Sequence, residues 1–327
     1  MRAIKYIGWA FAWLAAFLCA TWAFGALYFD FPKAGPFAAI LFVIILLGAI
    51  VLVRGKLLKI GIVYGGFVLV VSWWLTLKPS NDGAWQPDVA QTAWADINGD
   101  EITVHNVRNC DYHTETDFTP HWETRTVRLS QITGIDLAIN YWGSPWIAHP
   151  IASFQFADAL PLCFSIETRK TIGQKYSALE GLYRQYTLIY VVADERDCIR
   201  LRTNYRHEDV YLYRTLASPV QARERFREYI KTLNVLHENP RWYNAVTSNC
   251  TTSIRTQRAA KLRAPWDWRI LLNGKADEML YQNRAIATGG LPFAELKQRS
   301  LINERARAAE KDPNFSRFIR EGLPQAD

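Results

Sequence analysis

The chain has 327 residues, of which half are hydrophobic, so it can bury a sizeable core in one or two domains. Its formal net charge is +7, but residues 1–78 hold seven Lys or Arg and one Asp, which leaves the remaining residues with 31 basic and 30 acidic side chains. A nucleic-acid-binding protein needs a cationic face on its folded part, so this distribution argues against that class of partner.

Three apolar runs without a charged residue open the sequence, at 6–29, 36–53 and 60–77. Each has about the 17–25 residues that a helix needs to cross a bilayer. The first run alone could be a cleaved signal peptide, but it is too long for one and two more runs follow it. The sequence therefore predicts three transmembrane helices in residues 1–78.

The orientation of these helices follows from the basic residues that flank them. Arg2 and Lys5 precede the first run, and residues 54–59 between the second and third runs contain three more Lys or Arg. The opposite side carries Lys33, offset by Asp30, and then Lys78. We expect a multi-pass protein of the inner (cytoplasmic) membrane, with its N-terminus in the cytoplasm and residues 79–327 in the periplasm.

The pattern changes after a polar linker at 79–91. About seven or eight short strands are predicted between 92 and 215, beginning with a hairpin around "INGDE" and including "LCFSIETR", "QYTLIYVVA" and "CIRLRTNYR". From Ser218 the pattern is helical: Ser218 is a predicted N-cap with Pro219 at the first helical position, and the helix should stop before Pro240. Strands followed by helices indicate an α+β domain over 92–327.

Five cysteines are present, and Cys19 lies in the first apolar run. Cys163 and Cys198 have the apolar surroundings typical of core residues, and Cys110 has either of them as a potential disulfide partner in an exported domain. The sequence has neither a cluster of Cys and His with zinc spacing nor a Gly-rich phosphate loop, so we expect no metal or nucleotide cofactor.

Cys250 lies in the polar stretch "WYNAVTSNCTTSIRTQ". Thr247, Ser248 or Asn249 can cap a helix that runs toward Leu262, which places Cys250 in its first turn. Unpaired backbone N–H groups and the positive helix end favour a thiolate there, as a reactive cysteine needs. The alternative is that Cys250 packs under the sheet as an inert thiol.

A thiolate nucleophile needs a base, usually histidine. The six histidines are His105, His113, His121, His149, His207 and His237. Of these, His149 enters a predicted strand after a Gly/Pro-containing loop and outside any charged turn, so it is the candidate base. The next strand offers Ser165 and Glu167 on one face, either to orient the imidazole or, for Glu167, to pair with a nearby arginine such as Arg169 or one in "RLRTNYR".

Several of these segments together ("YWGSPWIAHPIASFQF", "FSIETRK", "YRQYTLIYVVADERDCIRLRTNYR" and "WYNAVTSNCTTSI") resemble the exported N-terminal domain of the Lnb family of bacterial lipoprotein N-acyltransferases. The resemblance covers about residues 90–300. It implies a permuted papain-like fold with an antiparallel sheet, with Cys250 as nucleophile, His149 as base and Glu167 as a less secure third member. The Asn249–Cys250 pair is also similar to the lecithin retinol acyltransferase group of that superfamily.

The chain departs from the family pattern in its membrane part, because its three apolar runs precede the exported domain rather than follow it. Pro150 also removes a backbone donor beside the histidine. The resemblance implies transfer of an acyl chain from a membrane lipid or lipoprotein through a thioester on Cys250, with His149 moving the proton. The helix start, with Ser248, Asn249 and Thr251, would support the oxyanion.

Two alternatives stay open at this stage. The same pair of residues could serve an envelope amidase or peptidase, in which water rather than an amine meets the acyl-enzyme. The domain could also be a membrane-tethered binding module without catalysis. Its sign would be a Cys250 that does not touch His149, or a disulfide between Cys250 and Cys110.

Overall fold

The structure is a computed structural model, and it describes residues 2–257, 266–270 and 272–325. The chain divides into two compact units. Unit 1 comprises residues 1–80, 175–187 and 241–245, and unit 2 comprises 81–174, 188–240 and 246–327. The two short segments 175–187 and 241–245 group with the N-terminal helices, although the sequence pattern assigns them to the exported domain.

Unit 1 contains three helices that are long and apolar enough to cross a membrane, as predicted. They are α1 (Arg2–Asp30), α2 (Gly35–Leu52) and α3 (Lys56–Thr76). Most of their large apolar side chains are exposed, as expected of surfaces that face lipid rather than a protein core.

The end of α1 binds the segment 175–187 within unit 1. The carboxylate of Asp30 accepts hydrogen bonds from the backbone N–H of Arg184 at 3.1 Å and from the side-chain amide of Gln185 at 2.6 Å. The Arg184 guanidinium lies 3.8 Å from the ring centroid of Trp74 in α3. Cation–π contacts and a charge-assisted hydrogen bond thus fix this segment to the helix ends.

Unit 2 is built on an eight-stranded sheet with the order β1-β2-β9-β8-β7-β6-β10, in which β5 also pairs with β2. The strands are β1 (Trp94–Asn98), β2 (Glu101–Arg108), β5 (Trp122–Arg128), β6 (Ile132–Tyr141), β7 (Ala148–Phe156), β8 (Leu162–Arg169), β9 (Thr187–Ala193) and β10 (Asp209–Arg214), with a separate small pair β3 (Asp111–Tyr112) and β4 (Phe118–Thr119). The predicted hairpin is β1–β2, where Gly99 has the positive φ that its tight turn requires. The sheet was predicted to be antiparallel, but it is mixed, because β2 and β9 run parallel.

The helices of unit 2 cover both faces of this sheet. They are α4 (Glu195–Arg200), α5 (Pro219–Glu238), α6 (Cys250–Thr256), α7 (Ala276–Gln282), α8 (Phe293–Ser300), α9 (Asn303–Ala308) and α10 (Phe315–Phe318). Helix α5 starts as predicted, with Ser218 in a capping box and Pro219 in the first turn. The α+β architecture, with three apolar helices before a sheet domain and helices after it, is confirmed.

Two apolar clusters define the two faces of the sheet. The α5 face carries Ala152 and Phe154 of β7, which pack with Phe226 of α5. The α4 face carries Ile151 of β7, which packs with Cys198 of α4. Side chains of a strand alternate between these faces, so each position in β7 is assigned to one of them.

The prediction of a strand at "CIRLRTNYR" is wrong. Asp194 caps α4 by accepting from the backbone N–H of Arg196, and the chain continues as a π-helix at Leu201–Tyr205. Apolar residues and arginines alternate in this stretch as in a half-buried strand. In the structure, however, Arg200 and Arg202 are buried together with their apolar neighbours. Burial on several sides suits a helix that is packed under other elements better than a strand with one solvated face.

A buried ionic cluster helps to hold the C-terminal helices to the α4 face. The Arg320 guanidinium binds Glu195 at 2.5 Å and Asp136 at 2.8 Å, and both carboxylates are almost completely buried. All five cysteines are described and all are free thiols, so the disulfide that was left open for Cys110 is not formed. Cys163 and Cys198 are core residues, as expected.

Candidate functional site

Cys250 is the first residue of α6. Asn249 caps this helix: its side chain accepts from the backbone N–H of Thr252, whose hydroxyl in turn pairs with the backbone N–H of Asn249. The predicted first-turn position of Cys250 is therefore observed, and α6 is described to Thr256, while the predicted continuation toward Leu262 lies outside the described residues.

The sulfur of Cys250 has two polar neighbours. Its Sγ lies 3.6 Å from the side-chain amide nitrogen of Asn273 and 3.7 Å from the hydroxyl of Thr251. The same Asn273 amide also donates to Thr251 at 3.0 Å, and its oxygen accepts from the backbone N–H of Ala148 at 2.8 Å. One amide group thus connects the cysteine helix with the first residue of β7.

The environment of the Cys250 thiol favours its protonated form. Burial raises the pKa of Cys250, and the hydrogen bonds from Thr251 and Asn273 lower it only in part. The sequence pattern suggested instead that the helix start would favour a thiolate. Desolvation of the charged form outweighs the favourable field of the helix start.

His149 is the second residue of β7 and belongs to a chain of polar contacts. Its Nε2 lies 2.7 Å from the Ser165 hydroxyl, which donates to Glu167 at 2.7 Å. Arg202 donates to Glu167 at 2.8 Å. Because the Ser165 hydrogen goes to Glu167, the ring donates from Nε2–H, and the basic nitrogen of the neutral imidazole is Nδ1.

Burial and nearby charges keep the His149 imidazole neutral and the Glu167 carboxylate ionised. Burial, assisted by the charges of Arg202 and Arg206, lowers the pKa of His149 to about 4. Burial alone would raise the pKa of Glu167, but the charges of Arg202 and Arg108 outweigh it and hold that pKa well below its usual value. At neutral pH the imidazole is therefore neutral and the carboxylate is charged. Glu167 has the arginine partner that the sequence left as an alternative, and it is Arg202.

The structure does not bring Cys250 and His149 together. His149 is opposite Asn140 in the β6–β7 register and has the parity of Ile151, so its side chain lies on the α4 face. Cys250 packs against the cluster on the α5 face. Both residues are described, and no hydrogen bond joins them. The expected contact between thiol and imidazole is thus not formed in this arrangement, and the catalytic roles of Cys250, His149 and Glu167 stay predictions.

The three residues expected to support an oxyanion, Ser248, Asn249 and Thr251, lie at the start of α6, and that role stays a prediction. The Asn249 side chain is engaged in capping α6, and Ser248 is half-buried just before the cap. Thr251 does contact the sulfur. Asn273 was missed by the sequence reasoning, because a lone Asn in "LLNGKADE" carries no local signal and its importance comes from a contact 23 residues along the chain.

Part of the chain matches a known protein family. Residues 118–274 match the family model described as "Lnb N-terminal periplasmic domain", which confirms the resemblance seen in the sequence. The matched range contains Cys250, His149, Glu167 and Asn273. No curated protein and no solved structure matches the chain, so the papain-like topology stays a prediction. The three apolar helices and this match together indicate a membrane protein with a periplasmic domain similar to that of the Lnb family.

Proposed function

We propose that this protein is a membrane-anchored thiol acyltransferase that takes an acyl chain from a lipid or lipoprotein ester onto Cys250. The observation that carries the proposal is the contact between Cys250 Sγ and the Asn273 amide at the start of α6. An amide N–H beside a sulfur nucleophile can also donate to the oxyanion that forms when the sulfur attacks a carbonyl. The match of this segment to the Lnb family supports it.

The chemistry has two balanced steps. The Cys250 thiol loses its proton to a base, and the thiolate attacks the ester carbonyl carbon; collapse of the tetrahedral intermediate expels the lipid alcohol, which takes up the proton, and leaves a thioester. An amine then attacks the thioester carbonyl, forms an amide and loses a proton, and the sulfur leaves and is protonated again. Because burial keeps Cys250 protonated at neutral pH, the base is essential for the first step.

We assign the base to His149 Nδ1. The imidazole is neutral at pH 7, as a base must be, and the backbone N–H of the preceding residue, Ala148, already binds Asn273. In the described arrangement the ring is held by Ser165 on the α4 face. The assignment therefore requires that substrate binding releases His149 from Ser165 and turns the start of β7 toward the cysteine.

The proposed acyltransferase acts at a membrane, so its location and orientation are part of the proposal. We propose the inner membrane, with the N-terminus in the cytoplasm and unit 2 in the periplasm, as the basic residues beside the first apolar helix and between the second and third suggest. A membrane anchor would raise the effective concentration of a lipid ester at the site.

A second candidate function is a membrane-tethered binding module without catalysis. The separation of Cys250 and His149 on two faces of the sheet, together with a protonated thiol, favours this reading. In that case the polar chain from His149 to Arg202 is structural and Cys250 is an inert packed thiol.

One assay distinguishes the acyltransferase from the binding module. The full chain, purified and reconstituted in lipid nanodiscs, is mixed with a radiolabelled ester lipid and an amine acceptor peptide, and amide formation is followed. We expect Cys250→Ala to abolish transfer and Cys19→Ala, which changes a cysteine in α1, to leave it intact. His149→Gln should lower the rate strongly; if it does not, another group accepts the proton.

Transfer that survives in Cys250→Ala would reject the acyltransferase. Absence of transfer in the wild-type protein under all conditions would favour the binding module. Release of free fatty acid in place of amide would indicate a hydrolase that uses the same thiol.

A further inference from the structure

A group of exposed apolar side chains, here called the tryptophan rim, surrounds the end of the sheet at which β7 begins. Its members are each 43% to 58% exposed, although they are among the largest apolar side chains of unit 2: Trp142, Trp146, Ile147, Trp266, Trp268 and Leu272. Soluble domains seldom leave so many large side chains in the solvent in one region, and such a patch marks an interaction surface.

Backbone contacts join the two loops that carry the rim. The backbone N–H of Gly274 donates to the carbonyl of Trp146 at 2.9 Å, and the loop approaches so closely that a side chain at Gly274 would overlap the backbone of residues 145–147. The backbone N–H of Leu272 bonds to the carbonyl of Trp268 at 3.2 Å. The rim is therefore one built surface and not a set of scattered residues.

Cationic groups lie over the tryptophan rings. The Arg255 guanidinium is 5.4 Å from the ring centroid of Trp266, and the Lys275 ammonium is 5.6 Å from that of Trp146. Lys275 is also 3.9 Å from Glu278. Exposed tryptophans combined with Lys and Arg are the composition that membrane interfaces favour, where rings sit at headgroup depth and cations meet anionic phosphates.

The rim adjoins the candidate site. Asn273, which contacts Cys250, lies between Leu272 and Gly274, and the Trp142 ring centroid is 6.4 Å from that of His149. Unit 2 begins at Asn81, after a short connection from the end of α3 at Thr76, so it is covalently tethered to membrane helices. With α1–α3 in a bilayer, this tether would keep unit 2 close to a lipid surface.

We propose that the tryptophan rim is a membrane-docking surface that binds the headgroup region of an anionic phospholipid bilayer. The rim then brings lipid acyl esters to the opening beside Asn273, a second step that rests on the proposed acyltransferase function. The docking itself does not depend on catalysis, so the two are tested separately.

The docking test uses the full chain in nanodiscs, with an environment-sensitive fluorophore on Trp146→Cys in a background of Cys19→Ser and Cys250→Ser. Leu160→Cys is the matched control, because Leu160 is 57% exposed and follows the opposite end of β7. Quenching is measured with doxyl-labelled lipid in discs of phosphatidylcholine with or without phosphatidylglycerol, and with aqueous iodide.

We expect lipid quenching at position 146 and little at position 160, with more quenching in the phosphatidylglycerol discs. In those discs Arg255→Gln and Lys275→Gln should each lower the docked fraction relative to the undocked one by about fivefold, since a cation near an anionic surface contributes on that scale. Iodide quenching without lipid quenching at position 146 would overturn the proposal. Protection from both quenchers would also overturn it, because it would indicate a protein partner on the rim.

The delivery step is tested with Trp146→Glu and Trp268→Glu, with Leu160→Glu as control. We expect the rim variants to lose acylation of Cys250 by lipid in the disc but to keep its alkylation by a small soluble maleimide. Normal acylation in the rim variants would refute delivery through the rim. If the wild-type protein is docked by the quenching test but never acylated, the proposed function fails and the docking surface stands.

Discussion

The replacement His149→Gln tests the electrostatic description of the polar chain on the α4 face. Glutamine keeps an amide that can bind Ser165, but it removes the titration. Because the pKa of His149 falls from an ordinary 6.5 to about 4 on folding, the unfolded chain takes up a proton at a higher pH than the folded chain does. Acid therefore favours unfolding, and the contribution of His149 to stability is lost as the pH falls from 6.5 to 4.

The size of the effect follows from the two pKa values. Between pH 7 and pH 4.5 the free energy of unfolding should fall by about 2.5 kcal/mol more in the wild-type protein than in His149→Gln. The slope is 1.36 kcal/mol for each pH unit over most of that range. For a domain of this size the thermal midpoint should fall by about 5–10 °C more in the wild-type protein than in His149→Gln. Both proteins contain Glu167, whose lowered pKa keeps its carboxylate charged in the folded state over this range, so it adds little to the difference between them.

The assay is thermal unfolding of the purified full chain in detergent, followed by tryptophan fluorescence at a series of pH values from 7 to 4.5. Every other residue is identical in the two proteins, so the comparison isolates the contribution of residue 149. Equal acid sensitivity of the wild-type protein and His149→Gln would refute the claim that this imidazole is buried in its neutral form.

Two further predictions concern the packing of each unit. Gly25→Ala should lower the thermal midpoint and destabilise the protein by about 1–3 kcal/mol, because its Cβ would overlap the Tyr183 ring. Gly48→Ala is the control, since a Cβ there meets no atom within 4 Å. Equal midpoints for the two variants would contradict the contact between Gly25 and Tyr183. Arg320→Met should destabilise unit 2 by about 3–5 kcal/mol, because it leaves the buried Glu195 without its arginine and Asp136 with only the more distant Arg214 at 3.9 Å. The exposed Arg317→Met is its control, and an unchanged unfolding midpoint in Arg320→Met would show that the buried cluster contributes little.

The elements that the sequence predicted well are those with local signals. Long uncharged runs predicted the three apolar helices, and Ser218 followed by Pro219 predicted the start of α5. Both signals come from residues that are adjacent in the sequence, because they depend on the length of a run and on capping. The helix at Glu195–Arg200 was missed because its charged residues Glu195, Asp197 and Arg200 are buried by tertiary contacts, which no local pattern reveals.

The candidate site also combines features that local sequence predicts with features that depend on long-range contacts. The first-turn position of Cys250 and the shared face of Ser165 and Glu167 follow from capping and strand alternation. Which face of the sheet helix α6 covers is a long-range property, and a change of one residue in register would move His149 to the other face. The sequence therefore predicted both residues of the pair but not their separation.

The thioester on Cys250 is the most direct test of the proposed acyltransferase. The full chain in nanodiscs is incubated with an ester lipid without an amine acceptor, quenched in acid and analysed by intact mass and peptide mapping. We predict an added acyl mass on the peptide that contains Cys250, removable by neutral hydroxylamine. An unmodified Cys250 after prolonged incubation with anionic and zwitterionic ester lipids, in protein that is folded and inserted, would contradict it.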